Sequence, residues 1–172
     1  MQGPYCKPGK CFTEYFADLA TGIPSDYVLM VSTPPSADHV AQADGTWVLP
    51  PVDEMITRTC TRIDTLTESK LRAGFIWGEK TFQNDQTSLI RIAGAALLAT
   101  RAQIGGDTTW SKDWIVADNS VVSLSAADMV EVGEAATLHE QAVVYAGAAH
   151  KTAVRNLATS EDVAAYDYTT GW

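Results

Sequence analysis

From Val52 onward the apolar positions fall at helical spacing. Val52, Ile56, Cys60, Ile63 and Leu66 recur at intervals of four, four, three and three, lining one face of an amphipathic helix. Pro50-Pro51 sets its start and Gly74 its end. Phe75-Ile76-Trp77 and Thr81-Phe82 then flank Gly78-Glu79-Lys80, the pattern of a short β-hairpin at about 75–82. Asn84 or Asp85 is placed to cap a second helix, which carries Leu89, Ile90, Ile92, Ala93, Ala96 and Leu97 and stops at Gly105-Gly106. Its small residues, Ala93, Gly94, Ala95, Ala96 and Ala99, allow a close approach by another helix. Trp114-Ile115-Val116 and Val121-Val122-Ser123-Leu124 predict a second hairpin at about 114–124, turned at Ala117-Asp118-Asn119-Ser120. Ser125 with Asp128 three residues on reads as a cap for a long helix. Along it Met129, Val132, Ala136, His139, Val143, Ala146, His150, Ala153 and Leu157 keep three-four spacing, as in a coiled-coil seam. Ser160 opens a last short helix that runs out before Tyr166.

Residues 1–51 carry a different pattern. Pro4, Pro8, Pro24, Pro34, Pro35 and Pro50 interrupt them, with Pro51 closing the set, so no helix runs far. Extended segments are predicted at 11–16, 27–32 and 46–49, the last behind an Asp44-Gly45 turn. The segment has too little contiguous apolar sequence for a core of its own and is expected to lie along the main domain or a neighbour. The expected fold is therefore α+β, mainly α: a helical bundle over 52–172 with two small β-hairpins, preceded by an extended Pro-rich N-terminal arm over 1–51.

Composition narrows the function classes. The chain has 172 residues, one domain's length, with 12 Lys plus Arg against 21 Asp plus Glu, for a net charge of −9. That balance argues against binding phosphate backbones or an anionic membrane surface. Only 19% of residues are charged, while Ala and Thr number 24 and 19, which suits a chain packed against other chains. Met1 is followed by Gln2-Gly3-Pro4 with no basic and apolar run, so no signal peptide is expected. The longest mostly apolar stretch, 89–98, is well short of the roughly 20 residues of a membrane helix. The chain is expected in the cytoplasm unless it leaves inside a particle.

Three cysteines, Cys6, Cys11 and Cys60, cannot all pair within one chain. Cys6 and Cys11 flank a four-residue loop whose readings are free thiols or a disulfide, within the loop or between chains; no nearby His completes a zinc site. Cys60, on an apolar helical stripe, reads as a buried thiol. Gly9-Lys10 is no phosphate loop, because Pro4 stands where its first glycine belongs and Cys11 where Ser or Thr is needed. His139-Glu140 does not complete a zinc-protease motif, since position 143 is Val143. His139 and His150 lie 11 residues apart on the seam, about 16 Å, too far to share a metal within one chain. They read either as rings around the axis of a trimer or as half-buried groups bonded to neighbouring elements. Asp53-Glu54 and Glu161-Asp162 sit at helix starts, where the dipole explains them. Trp47, Trp77, Trp110, Trp114 and Trp172 read as core and interface residues rather than a sugar platform.

Several phrases are shared with a known group. They are Ser69-Lys70-Leu71-Arg72-Ala73-Gly74, Phe75-Ile76-Trp77-Gly78, Phe82-Gln83-Asn84-Asp85, the run 114–124, and Leu124-Ser125-Ala126-Ala127-Asp128. Through them the chain from about Val52 to Trp172 resembles a domain family recurring in tailed-bacteriophage tail proteins. Ile23-Pro24, Pro34-Pro35 and Ala43-Asp44-Gly45-Thr46-Trp47-Val48 resemble phrases of tail-fibre and fibre-assembly proteins. The resemblance implies a virion tail component, tail-fibre or fibre-attachment, that acts by assembly, with no catalytic residues and no cofactor. Its expected partners are itself, as a homo-oligomer with a trimer favoured through the seam, and other phage tail, fibre or baseplate proteins. Nucleic acid and membrane are not expected partners. A disulfide at Cys6 and Cys11 would lock the arm after lysis, and Lys7 and Lys10 make it a small basic hook. The alternatives are a non-virion chaperone of fibre assembly and a small hydrolase.

Overall fold

Helix α1 (Val52–Arg72) opens directly behind the proline pair, with the Pro51 carbonyl accepting from the Met55 amide at 3.0 Å. Asp53 and Glu54 in its first turn and Lys70 and Arg72 in its last suit the helix dipole. The structure, a computed structural model, describes residues 4–14 and 23–172. The predicted strand over 11–16 lies partly outside the described residues. Met55, Thr59 and Ile63 are the buried positions of α1; Ile63 belongs to the predicted stripe, whose other members Val52, Ile56, Cys60 and Leu66 are half-buried, while Met55 and Thr59 lie one residue before Ile56 and Cys60.

Behind Gly74, β5 (Phe75–Trp77) and β6 (Lys80–Phe82) form a hairpin in which Trp77 pairs with Lys80. Its two-residue turn starts with Gly78 at φ 59°, a positive value that glycine adopts without the penalty of a Cβ. Helix α2 (Gln86–Ile104) is capped by Asp85, whose carboxylate accepts from the Thr87 and Ser88 amides at 3.0 and 3.1 Å. The second hairpin joins β7 (Ser111–Ile115) to β8 (Val121–Ser125). Asn119 at φ 63° supplies its left-handed residue. Helix α3 (Ala126–Arg155) starts on a reciprocal cap. Its Asp128 carboxylate accepts from the Ser125 amide at 2.9 Å, while Ser125 Oγ accepts from the Asp128 amide at 3.3 Å. Helix α4 (Ser160–Ala165) is capped by Thr159.

The expected helical bundle with an extended arm is corrected to a mixed α+β architecture. Among the described residues there are four helices and four separate two-stranded antiparallel sheets. Two of those sheets lie in the segment expected to be an arm: β1 (Tyr5–Cys6) pairs with β2 (Val28–Leu29), and β3 (Val40–Ala41) with β4 (Trp47–Val48). β2 and β4 lie within the extended segments predicted at 27–32 and 46–49, while β1 and β3, two residues each, carry no alternation to detect.

The chain divides into two units, Met1–Thr61 with Ala153–Asp167, and Arg62–Thr152 with Tyr168–Trp172. In the first, Cys6, Met30 and Ala41 form a small core against which Trp47 packs. Its loops are tied by main-chain bonds, including Gly9 N to Ala41 O, Ala41 N to Lys10 O and Met30 N to Pro4 O, all 2.8 Å. Ser160 Oγ donates to Pro50 O at 2.7 Å, so α4 is bonded to the chain just before α1.

The second unit has the larger core. Phe75, Phe82, Trp114, Val116 and Leu124 from the two hairpins cover Ile92, Ala95 and Ala99 of α2 and Ala126, Met129, Val132 and Ala136 of α3. This is hairpins packed on a helix pair. The hairpins join each other through Ala117 N to Thr81 O at 2.9 Å and through Lys80 Nζ, 3.1 Å from Asp118 Oδ2 and 3.0 Å from Ser120 Oγ.

Candidate interaction surface

Helices α2 and α3 meet where both are small. A methyl group built on Gly133 would lie 2.9 Å from the Ala96 Cβ, closer than carbon atoms tolerate. The pair runs antiparallel: Gln103 shares a cleft with Ala126 and Ala127, while Leu89 shares a groove with Leu138 and Glu140. That open groove, about 650 Å³, is walled by Leu89, Ala93 and Ala96 on one side and Val130, Thr137 and Leu138 on the other.

Beside it both helices turn large apolar side chains to solvent. On α2 these are Ile90, Leu97 and Ile104, spaced by sevens and 67%, 64% and 83% exposed. On α3 Leu138 and Tyr145, also seven apart, are each 64% exposed, with Val144 beside them. Single exposed leucines are ordinary on protein surfaces, and what sets these two neighbouring helices apart is that each exposes several large apolar side chains. The rims of this surface are charged. Arg101 lies on the α2 side and Glu134 and Glu140 on the α3 side, all exposed. None of the three is in an ion pair among the described residues.

The predicted seam points the other way. Met129, Val132 and Ala136 are buried in the hairpin-covered core, and Val143 is buried as well. His139 is half-buried, its ring 6.4 Å from that of Phe75, and its Nε2 has no hydrogen-bond partner. His150 lies 5.2 Å from the Trp172 ring, with Nε2 2.9 Å from Thr170 O. Ala146 and Ala153 are half-buried, and Leu157 lies beyond the end of α3. The chain thus covers much of the seam with its own elements, while the unpartnered apolar face is on α2 and the outer side of α3.

Residues 54–170 match the family described as "Domain of unknown function (DUF4376)". The match spans about two-thirds of the sequence. The chain belongs to this family. Both helices of the exposed face and both larger hairpins lie inside the DUF4376 match, whereas β1 to β4 precede it. No curated protein and no solved structure matches the chain.

Cys6 and Cys11 lie ahead of the DUF4376 segment and are free thiols in this structure. Cys6 is fully buried, its Sγ donating to Phe12 O at 2.6 Å, and burial pushes its thiol pKa up. Cys11 is exposed, and Cys60 is half-buried on α1. Lys7 pairs with Asp26 at 2.8 Å, which raises the Lys7 pKa and lowers that of Asp26. One of the two basic groups of the expected hook is therefore neutralised locally.

A polar pair that the sequence patterns did not signal is Ser36 Oγ and His39 Nδ1, 2.9 Å apart. The same hydroxyl accepts from the Asp38 amide at 3.2 Å, the bonding of a local turn. Among the described residues no three His, Cys, Asp or Glu side chains converge to hold a metal ion. No described helix is long and apolar enough to cross a membrane.

Proposed function

We propose that this DUF4376 protein is a structural component of a tailed-phage virion, a tail-fibre or fibre-attachment protein that works by assembling with itself and with other tail proteins. The observation that carries the assembly reading is the exposed apolar face of α2 and α3, with Ile90, Leu97, Ile104, Leu138 and Tyr145 open to solvent in a single copy. Surface of that kind has a use when another chain covers it and is an aggregation hazard when none does. The tail placement is supported by the phrases around Phe75, Trp114 and Ser125 that resemble tail proteins. In this reading the protein acts by contact, without catalysis or a cofactor.

Quantitative mass spectrometry of purified particles tests the placement. A fixed copy number per virion is expected. Presence in the infected lysate with absence from mature particles would replace the structural role with that of an assembly chaperone.

A further inference from the structure

We propose that Cys6 and Cys11 form a redox-active dithiol, which closes to a disulfide within one chain when a low-molecular-weight disulfide of the glutathione class reaches the exposed Cys11 thiol. This chemistry belongs to the first unit and does not depend on the tail placement. Spacing alone left free thiols, a loop disulfide and an interchain bond as equal readings, and the geometry separates them.

The chain between the two cysteines doubles back on itself. Lys7-Pro8-Gly9-Lys10 is a four-residue turn, closed by the Lys10 amide donating to Lys7 O at 3.1 Å, with Gly9 third at φ 81° behind Pro8. Further out, Tyr5 and Glu14 are bridged, each amide donating to the other's carbonyl, at 2.9 and 2.7 Å. Cys6 lies between these two closures, so the stretch opposite it is Cys11, Phe12 and Thr13. Its sulfur points there. Cys6 Sγ donates to Phe12 O at 2.6 Å and lies 3.7 Å from Lys10 O, the carbonyls of the residues on either side of Cys11. Fixed peptide geometry puts the Lys10 oxygen about 3 Å from the Cys11 Cα, so that Cα stands within about 7 Å of the Cys6 sulfur. A disulfide spans roughly 4.4–6.8 Å between Cα atoms, and opposed positions beside a turn fall in that range. Closure asks the Cys11 side chain to swing inward and the Cys6 sulfur to exchange Phe12 O for sulfur.

Burial sets the order of events. Cys11 is exposed and Cys6 is fully buried, so a soluble disulfide meets Cys11 first. The Cys11 thiolate attacks one sulfur of glutathione disulfide; that S–S bond breaks, a mixed disulfide forms at Cys11, and one glutathione leaves as thiolate and takes up a proton. Cys6, its proton passed to water, then attacks the Cys11 sulfur and expels the second glutathione. Two protein thiols are oxidised and one glutathione disulfide is reduced to two thiols. When a reductant attacks the finished bond at the accessible Cys11 sulfur, Cys6 is the leaving group. Burial pushes its thiol pKa up and makes it a poor one, so the closed form reopens slowly. In a reducing compartment the pair stays open, and in an oxidising one it closes.

Incubating the purified full chain with glutathione disulfide, followed by tryptic digestion without reductant, tests the pairing. Lys7 precedes Pro8 and resists cleavage, and cuts after Lys10, Arg58 and Arg62 put the three cysteines on separate peptides, 1–10, 11–58 and 59–62. Wild type should lose two free thiols and yield 1–10 joined to 11–58, from a chain that still runs as a monomer in non-reducing electrophoresis. Cys11→Ser should slow the loss of the Cys6 thiol more than about tenfold, because the buried sulfur then has no exposed relay. Cys6→Ala should stop at a glutathione adduct on Cys11, with circular dichroism matching wild type to show that the variant is folded. Should that variant fail to fold, the wild-type digest decides alone. A Cys6 thiol that stays free after Cys11 has taken up glutathione, a Cys11–Cys11 bond between chains, or a bond from either residue to Cys60 would each overturn the proposal.

Discussion

Gly74 and Gly78 bracket the first hairpin strand, both at positive φ, 86° and 59°, and they separate two costs that are usually confounded. An alanine at either position pays for the left-handed backbone, about 1–2 kcal/mol. At Gly78 that is the whole cost, because a Cβ there meets nothing within 4 Å. At Gly74 the added carbon runs into the carbonyl oxygen of Phe82 and lies 3.1 Å from Thr81 Cγ2. A backbone oxygen cannot swing aside as a side chain can. Relief requires moving β6, and Phe82 on that strand is fully buried with its ring stacked 5.5 Å from Phe75. Displacing a close-packed aromatic pair adds roughly 1–3 kcal/mol of the kind seen for overpacked cores. Gly74→Ala should therefore cost about 2–5 kcal/mol and Gly78→Ala about 1–2 kcal/mol, a gap of roughly 1–3 kcal/mol. Urea unfolding followed by tryptophan fluorescence and by circular dichroism reads the difference as a shift in midpoint at constant slope. Equal midpoints for the two variants would refute the backbone-clash argument, leaving only the shared conformational cost.

Three further outcomes follow from local geometry. Gly133→Ala should separate α2 from α3, giving a net loss of up to about 2 kcal/mol once the gain in helix propensity is subtracted, and adding Ala96→Gly should recover part of the lost packing; equal stability of all three chains by urea titration would sink the close-packing account. The Ser120 hydroxyl and amide, then Lys80, hold the Asp118 carboxyl at about 2, below its ordinary 3.8. The folded chain thus binds this proton more weakly than the unfolded chain, so the stabilisation is complete above about pH 4 and fades as the pH falls towards 2. Asp118→Asn should remove that part of the acid sensitivity, and an unaltered pH profile of the urea midpoint would contradict it. A maleimide should label exposed Cys11 rapidly and reach buried Cys6 only after unfolding, whereas comparable rates in the native protein would contradict the buried-thiol geometry.

Legibility in the sequence tracked the length over which a pattern repeats. α1, α2 and α3 are 21, 19 and 30 residues long, and their spacing and caps marked them, down to the Ser125–Asp128 box. β7 starts at Ser111 rather than Trp114 because Ser111, Lys112 and Asp113 are all exposed and interrupt the apolar signal. β2 and β4 fall inside the extended segments predicted at 27–32 and 46–49, whereas β1 and β3 gave no pattern, and the core they share is built on Cys6 and Met30, a thiol and a gap-filler rather than a branched aliphatic pair. The harder failure concerns which apolar stripe faces what. Met129, Val132, Ala136 and Val143 repeat at coiled-coil spacing, yet this chain's own fold buries them. Ile90 and Leu97 had no better claim to exposure than Ile92, one helical step away and 2% exposed.

Periodicity specifies that a stripe is covered; it is silent on whether the cover comes from the same chain. The decision here is made by two glycine-scale details, Gly133 against Ala96 and Gly147 against Thr67, which bring α3 close to α2 and to α1. That proximity and the hairpin cover take up the inner stripe of α3, while Leu138, Val144 and Tyr145 stay exposed. The candidate surface is thus a consequence of helix spacing. A substitution that widens the α2–α3 gap at Gly133 would alter the surface without touching any residue on it.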